Sequence, residues 1–306
     1  MSIHHDQEYV ACNLCGVDDS LPFFIENGCH VVRCKRCGLV YVNPRPVRTS
    51  ETQHYESTHE YLDYIQNYVT HKDAHLLKAK RMLKEIEGIN NIKGKLLAIG
   101  CAAGFFLKVA HDSGWDVQGL EPIESNARYA IDTFSLDVKS IPIEKAEFPV
   151  KCFDIVVAFD VLSHLKNPTE FFLKVKKMLK DEGLFVFKTG NKGAITTKKK
   201  AEILGEVWLT PDHLYHFSEH TLSVLIEKTG FKKKKMIREH IVDHLLSDEN
   251  LMIRRDSCIK WHVKQVLLRF NFLKTLLSHI LRFYLIKILK ADVCSLLVFV
   301  HKDKRL

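Results

Sequence analysis

The sequence predicts an α/β protein: a mostly parallel, doubly wound sheet preceded by a small cysteine-rich module. Two observations carry this. From residue 95 onward, short apolar runs alternate with stretches of helical periodicity. Before residue 46, two Cys-x2-Cys pairs stand in a turn-rich segment. The chain of 306 residues is 46% hydrophobic and 27% charged, an ordinary globular balance for one large domain or two modest ones.

The N-terminal segment reads as two short strands, Val31-Val32-Arg33 and Leu39 to Val42, with Gly38 between them. Asn43-Pro44-Arg45-Pro46 should stop any strand, because proline lacks the ladder donor, and a boundary is placed there. Residues 48–70 read as a connecting segment with some helix. Ala74, Leu77, Met82, Leu83 and Ile86 give Lys72 to Glu87 helical spacing, with Gly88 as its stop.

Alternation then begins. Strands are expected at Lys95–Ile99, Trp115–Leu120, Leu136–Lys139, Phe153–Phe159 and Leu184–Lys188. Helices are expected at Phe105–Ser113, Ser125–Phe134 and Thr169–Leu179. Ser218 is a good N-cap for a helix to about Thr229, with Gly230 behind it and a strand from Phe231. Right-handed crossovers make such a sheet mostly parallel, and its ligands bind beyond the carboxyl ends of the strands.

The cysteine pairs are Cys12-x2-Cys15 and Cys34-x2-Cys37, with 18 residues between them. That spacing fits a four-thiolate zinc site, closed and therefore structural. Gly16 and Gly38 follow the pairs, where the backbone turns around the metal. The alternative, a reduced and metal-free set, leaves a short segment without enough core to fold. Cys29 is a spare thiol or an alternative ligand, and His30 reads as a loop residue.

Gly100-Cys101-Ala102-Ala103-Gly104 ends the first strong strand, and Glu121 ends the next, 17 residues beyond Gly104. Small residues let a backbone pass close to a ligand, and a carboxylate there suits ribose hydroxyls. The spacing is not G-x-G-x-x-G. Small-residue turns also serve plain helix–strand packing, so this turn alone leaves both readings open.

As an ordered set the motifs are more specific. Ala98 to Gly104 looks like motif I of class I S-adenosylmethionine-dependent methyltransferases, and Val117 to Pro122 resembles their second strand with its ribose-binding acid. Phe153 to Leu165 resembles their motif IV region, and Leu179 to Phe187 their fifth strand. Arg33 to Pro46 and His213 to Ser218 are similar to a zinc-bearing subgroup. The resemblance implies a Rossmann-like seven-stranded sheet. It implies S-adenosylmethionine held by Gly100, Cys101, Ala102, Gly104, Glu121, Pro122 and Asp160, with Tyr55 closing over it. His164 is the first candidate for general base and His213 the second; with His216 and Trp208, His213 would shape the acceptor pocket.

The implied activity is methyl transfer to an oxygen or carbon of a small molecule, sugar, glycan or lipid precursor. Departures from the family pattern, Ala98 and Ser163 above all, carry the alternative, a non-catalytic methyltransferase-like binding or scaffold protein. Ala98 stands where the family often has aspartate, Ala102 where it often has glycine, and Ser163 where glutamate commonly precedes the histidine.

The organisation expected is a zinc-binding module over 1–47, a methyltransferase core over 48–240, a helical insertion over 241–290 and a returning strand over 291–306. That last strand, Val293 to Val300, should run antiparallel. From Trp261 to Lys290 the insertion is apolar and basic without an acid, suiting packing or a partner interface first and peripheral membrane contact second.

The net charge of +8 suits an anionic partner, though scattered lysines favour a plain soluble face. The lysine runs at 198–200 and 232–235 lack interleaved aromatics, so no nucleic acid is expected. Nine cysteines, no apolar leader and no apolar run of about 18 residues suggest a cytoplasmic setting.

Overall fold

The computed structural model describes residues 7–47, 68–90, 93–191, 212–240 and 293–303. Tyr55, Trp208, the lysine run at 198–200 and the 241–290 insertion lie outside the described residues.

The N-terminal segment holds β1 (Gln7–Glu8), β2 (Ser20–Glu26), β3 (Cys29–Cys34), β4 (Val40–Val42) and β5 (Arg45–Pro46). β2 was not expected: its apolar residues do not alternate and Pro22 interrupts them. It pairs antiparallel with β3 around Asn27 and Gly28, at φ of 50° and 75°. Two left-handed residues match the twist of a hairpin. His30 lies within β3 and is exposed, rather than in a loop. β5 corrects the expectation that Asn43 to Pro46 stops every strand, since Arg45 and Pro46 pair with Glu8 and Gln7. A two-residue edge ladder tolerates proline because its missing donor interrupts no continuing ladder.

The core opens with α1 (Lys72–Glu87) and β6 (Lys95–Ile99), followed by α2 (Phe105–Asp112) and β7 (Asp116–Leu120). Next come α3 (Glu124–Phe134), β8 (Val138–Lys139), β9 (Phe153–Phe159), α4 (Pro168–Met178) and β10 (Leu179–Gly190). β11 (Tyr215–His216), α5 (Glu219–Lys228), β12 (Phe231–His240) and β13 (Val293–Lys302) complete it. The seven-stranded sheet has the order β12-β13-β10-β9-β6-β7-β8. β13 is antiparallel to both β10 and β12, as expected of the returning strand.

Ser218 caps α5 through a reciprocal pair with Thr221, as its position predicted. The end of α4 departs from expectation by more than a shift of one residue. Leu179 is extended, at φ −69° and ψ 143°, and pairs with Phe153, so it opens β10 rather than ending α4. The register then shifts before Leu184, and residues 180–183 bulge out of the ladder.

Two apolar cores cover the two sheet faces. α1 lays Ala79, Met82, Leu83 and Ile86 on one face, against Leu96, Ile155, Val186 and Phe299. α4 lays Phe171, Phe172 and Val175 on the other, against Val156, Phe185 and Phe187. That second core continues without a break into Leu14, Val31, Tyr41 and Val42 of the cysteine segment. The small sheet has the order β11-β4-β3-β2, so Tyr215 and His216, far along the chain, supply its edge. Among the described residues no helix is long and apolar enough to cross a membrane.

Candidate active site

The order of the large sheet reverses between β6 and β9, which opens a crevice at the carboxyl ends of these strands. The turn after β6 lines it. Gly100, Ala102 and Gly104 all have positive φ, at 67°, 48° and 80°. A Cβ on Gly100 would stand 2.6 Å from Val161 Cγ2, and one on Gly104 2.7 Å from Ala130 Cβ. Gly100 and Cys101 donate their N–H groups to Leu120 O at 2.8 and 3.1 Å, which ties the turn to the end of β7.

Glu121 is 5% exposed. Its Oε2 accepts from Ala102 N at 2.8 Å and its Oε1 from Ile123 N at 3.1 Å. Burial pushes its carboxyl above the ordinary range, against the hydrogen bonds from Ile123, Ala102 and Asn126. A carboxylate fixed in this way keeps lone pairs for further donors. Cys101 turns its thiol inward, where Sγ would lie 2.9 Å from a Cβ on Gly119, so only its backbone faces the crevice. Pro122 follows, half-buried. Asp160 is exposed beyond β9 at φ 58° and donates its N–H to Lys188 O at 2.9 Å.

The two candidate bases meet. The rings of His164 and His213 are 4.6 Å apart at 83°. His164 Nδ1 lies 3.1 Å from Asp212 O. A carbonyl only accepts, so this bond places a proton on Nδ1 and leaves Nε2 of the neutral ring as the acceptor. Ser163 O accepts from Leu214 N at 2.8 Å and Tyr215 N at 3.3 Å, which holds the two histidine loops together. His216 lies 6.4 Å from His213 and is buried.

The cysteine segment clamps this loop from behind. Arg45 donates to Lys166 O at 2.7 Å and to Tyr215 Oη at 3.2 Å, and Tyr215 Oη donates to Lys166 O at 3.0 Å. Asn13 donates to Asn167 Oδ1 at 2.7 Å and accepts from Thr169 N at 3.1 Å. No sequence pattern pointed to Arg45, Asn13 or Tyr215 in this role. The ion pair of Lys188 and Glu239, across β10 and β12, was also missed.

The sulfurs of Cys12, Cys15, Cys34 and Cys37 all lie within 4.8 Å of one another. Cys12 and Cys37 approach to 3.4 Å, Cys15 and Cys34 to 3.5 Å. A zinc tetrahedron with Zn–S of about 2.3 Å has S–S edges of about 3.8 Å, so the thiols fit that ion. The two pairs repeat one knuckle. Gly16 N donates to Cys12 O at 2.7 Å and Gly38 N to Cys34 O at 3.0 Å, both glycines at φ near 75°. Without a metal, burial pushes Cys12 well up and Cys37 up to about 11. At Cys34 burial acts the same way, but N–H groups and thiols around it outweigh burial and lower its pKa. Cys29 is buried in β3, outside this group.

A family model described as a methyltransferase domain matches residues 69–235. The ubiquinone biosynthesis O-methyltransferase of Bradyrhizobium diazoefficiens is 27% identical over 179 residues, covering 52% of this chain and 69% of the relative. The protein of the same name from Photobacterium profundum is 33% identical over 106 residues, covering 33% of this chain and 45% of the relative. These matches thus span between about half and two thirds of the relatives' length. Phosphoethanolamine N-methyltransferase 2 of Haemonchus contortus, solved with S-adenosyl-L-methionine, superposes with a TM-score of 0.58 at 16% identity. It covers 87% of this chain and 63% of that one, a likeness of fold.

Proposed function

We propose, from the premise that this chain belongs to the methyltransferase domain family matched over residues 69–235, that it methylates an oxygen or carbon of a small acceptor. S-adenosylmethionine, the cofactor of the family, supplies an electrophilic methyl on its sulfonium when bound. The turn after β6 supports this reading, because its positive-φ backbone stands at the carboxyl end of the strand beside the buried acid Glu121. Glu121 would accept the ribose hydroxyls, with Gly100, Ala102 and Gly104 offering backbone, and Pro122, Asp160 and Tyr55 completing the rim.

The observation that carries a proton-removing role is the oriented His164. Its Nδ1–H is directed at Asp212 O, so Nε2 of the neutral ring is the nitrogen that would take the acceptor's proton. His213 packs on that ring and orients it. Relatives named for O-methylation in ubiquinone biosynthesis support an oxygen on a small molecule or lipid precursor. The four cysteines would hold a structural zinc, which keeps the loop behind His164 in place. The division into 1–47, 48–240, 241–290 and 291–306 belongs to the same proposal.

A second reading, binding without turnover, rests on Ala98 and Ser163. Ala98 is buried between Gly119 and Val157, leaving no carboxylate at that strand position. One comparison separates the two. Wild-type protein should bind S-adenosylhomocysteine by calorimetry, and Glu121→Ala should weaken it by about tenfold or more, on the scale of charge-assisted bonds. His164→Asn should keep that affinity while slowing tritiated methyl transfer to a phenol and catechol panel by about 10²-fold or more. Absence of binding at millimolar cofactor defeats both readings, and binding without transfer to any acceptor favours the second.

A further inference from the structure

The face of the small sheet that carries Cys34 also carries a buried hydroxyl. Tyr41 pairs with Val32 across β4 and β3, and Cys34 stands two residues beyond Val32. Side chains alternate along a strand, so Val32, Cys34 and Tyr41 share one face. Tyr41 is then the diagonal neighbour of Cys34, at about 7–8 Å between strand positions, a span within reach of an aromatic side chain. Tyr41 is 1% exposed and packs in one core with Cys12, Leu14 and Cys34. Its ring stacks on Tyr215, with centroids 6.4 Å apart at 23°.

The two tyrosines part at their hydroxyls. Tyr215 Oη lies between Arg45 and Lys166 O. Tyr41 Oη is shut off from solvent and has no hydrogen-bond partner among the described residues. Ser20, opposite Cys34 in β2, lies close by but not in hydrogen-bonding geometry. Burial above all pushes the Tyr41 phenol up to about 12, and the charges of Cys12 and Cys34 act in the same direction.

A buried hydroxyl without a partner is costly, and such a group marks a place where something else completes the structure. The neighbouring sulfurs can do so. A neutral thiol is a weak acceptor, but zinc takes the thiolate form, whose charge makes it a strong one. Four thiolates around one zinc ion leave net negative charge in a poorly hydrated place, where an added donor is stabilising. Groups that hydrogen-bond to metal ligands fix the ligands' orientation and raise metal affinity.

We propose that Tyr41 is a positioning residue of the cysteine centre, its hydroxyl donating to the thiolate of Cys34 or Cys12 when the site holds zinc. This rests on the structural-zinc reading and adds an outer partner to its four ligands.

The test uses the full chain loaded with Co2+ or Zn2+, comparing wild type, Tyr41→Phe and Ser20→Ala. Phenylalanine keeps the ring and its stacking, so the fold is retained and only the hydroxyl is lost. A hydrogen bond lowers the energy of the sulfur lone pair, so its removal moves the sulfur-to-cobalt charge-transfer band to longer wavelength. Tyr41→Phe shows that shift and binds Zn2+ about tenfold more weakly in competition with a chromophoric chelator. Ser20→Ala shows neither change.

The proposal fails if a folded Tyr41→Phe keeps the band of the wild type, whatever its affinity, since weaker binding with an unmoved band is a packing effect. It also fails if Ser20→Ala moves the band as far as Tyr41→Phe does, because the sulfur would then be reached through Ser20. A wild type that binds neither ion sinks the zinc reading itself, and the proposal with it.

Discussion

The small cysteine sheet and the large seven-stranded sheet bury their strands to different depths. In β6 and β9 most residues are buried, because α1 and α4 cover both faces. In β2 none is fully buried, and Leu21 and Ile25 stand more than half exposed. The large sheet is held by its own apolar faces. The small one brings four thiols together and leans on its neighbour. The difference teaches that the cysteine segment is stabilised from outside its own strands, so it can serve as a brace for the histidine loop.

The largest effect should come from removing the zinc proposed for the four thiols. Cys34→Ser, or treatment with a strong chelator, should strip the metal and cost several kcal/mol of local stability, since structural zinc sites contribute about 10 kcal/mol or more. Hydrogen exchange should rise across β2 to β4 and residues 212–217 while β6, β7 and β9 stay protected. Equal exchange everywhere would break the contrast between the two regions.

Phe172→Ala comes next. Phe172 is fully buried in the core that both sheets share. Its truncation should cost about 3–5 kcal/mol and lower one common Tm for both regions. A cysteine sheet that melts at its original temperature would mean the shared core is not energetically shared.

The smallest effect concerns pH at α1, on the large sheet alone. His75 stacks near Tyr68 and Phe105, with ring centroids 3.8 and 5.8 Å away. Burial, then the charges of Lys78 and His71, lowers its pKa from 6.5 to about 4. Between these values the unfolded chain holds a proton that the folded chain lacks, so stability rises with pH across that window. It is therefore present above pH 6.5 and lost as pH falls toward 4. His75→Phe should flatten this part of the Tm-against-pH curve and leave the metal content unchanged. An unaltered curve would place the acid sensitivity elsewhere.

Much of the large sheet was legible before its structure. Helical spacing located Lys72 to Glu87 and an apolar run located Phe153 to Phe159, each with its observed ends. Local signals sufficed there because both elements bury a continuous face. β2 was missed although Asn27-Gly28, a strong hairpin signal, lay in view. β11 carries no local signal at all, being two residues whose strand character comes from pairing with β4. Among the candidate residues, the sequence placed Gly100 and Gly104 in the turn after β6, Glu121 after β7 and His164 after β9, and their roles belong to the proposal. Arg45, Asn13 and Tyr215 were not, because their partners lie 49 to 170 residues away along the chain.

The sequence by itself determined the alternation that forces a parallel sheet, the glycine turn with its acid, and four thiols with zinc spacing. Each of these is a short-range pattern, written in residues near one another along the chain. Only the tertiary structure decided that the cysteine segment leans on the histidine loop, and that Lys188 and Glu239 pair across β10 and β12. Those arrangements depend on which faces and strands pack together, and residues far apart along the chain meet only when the core closes between them.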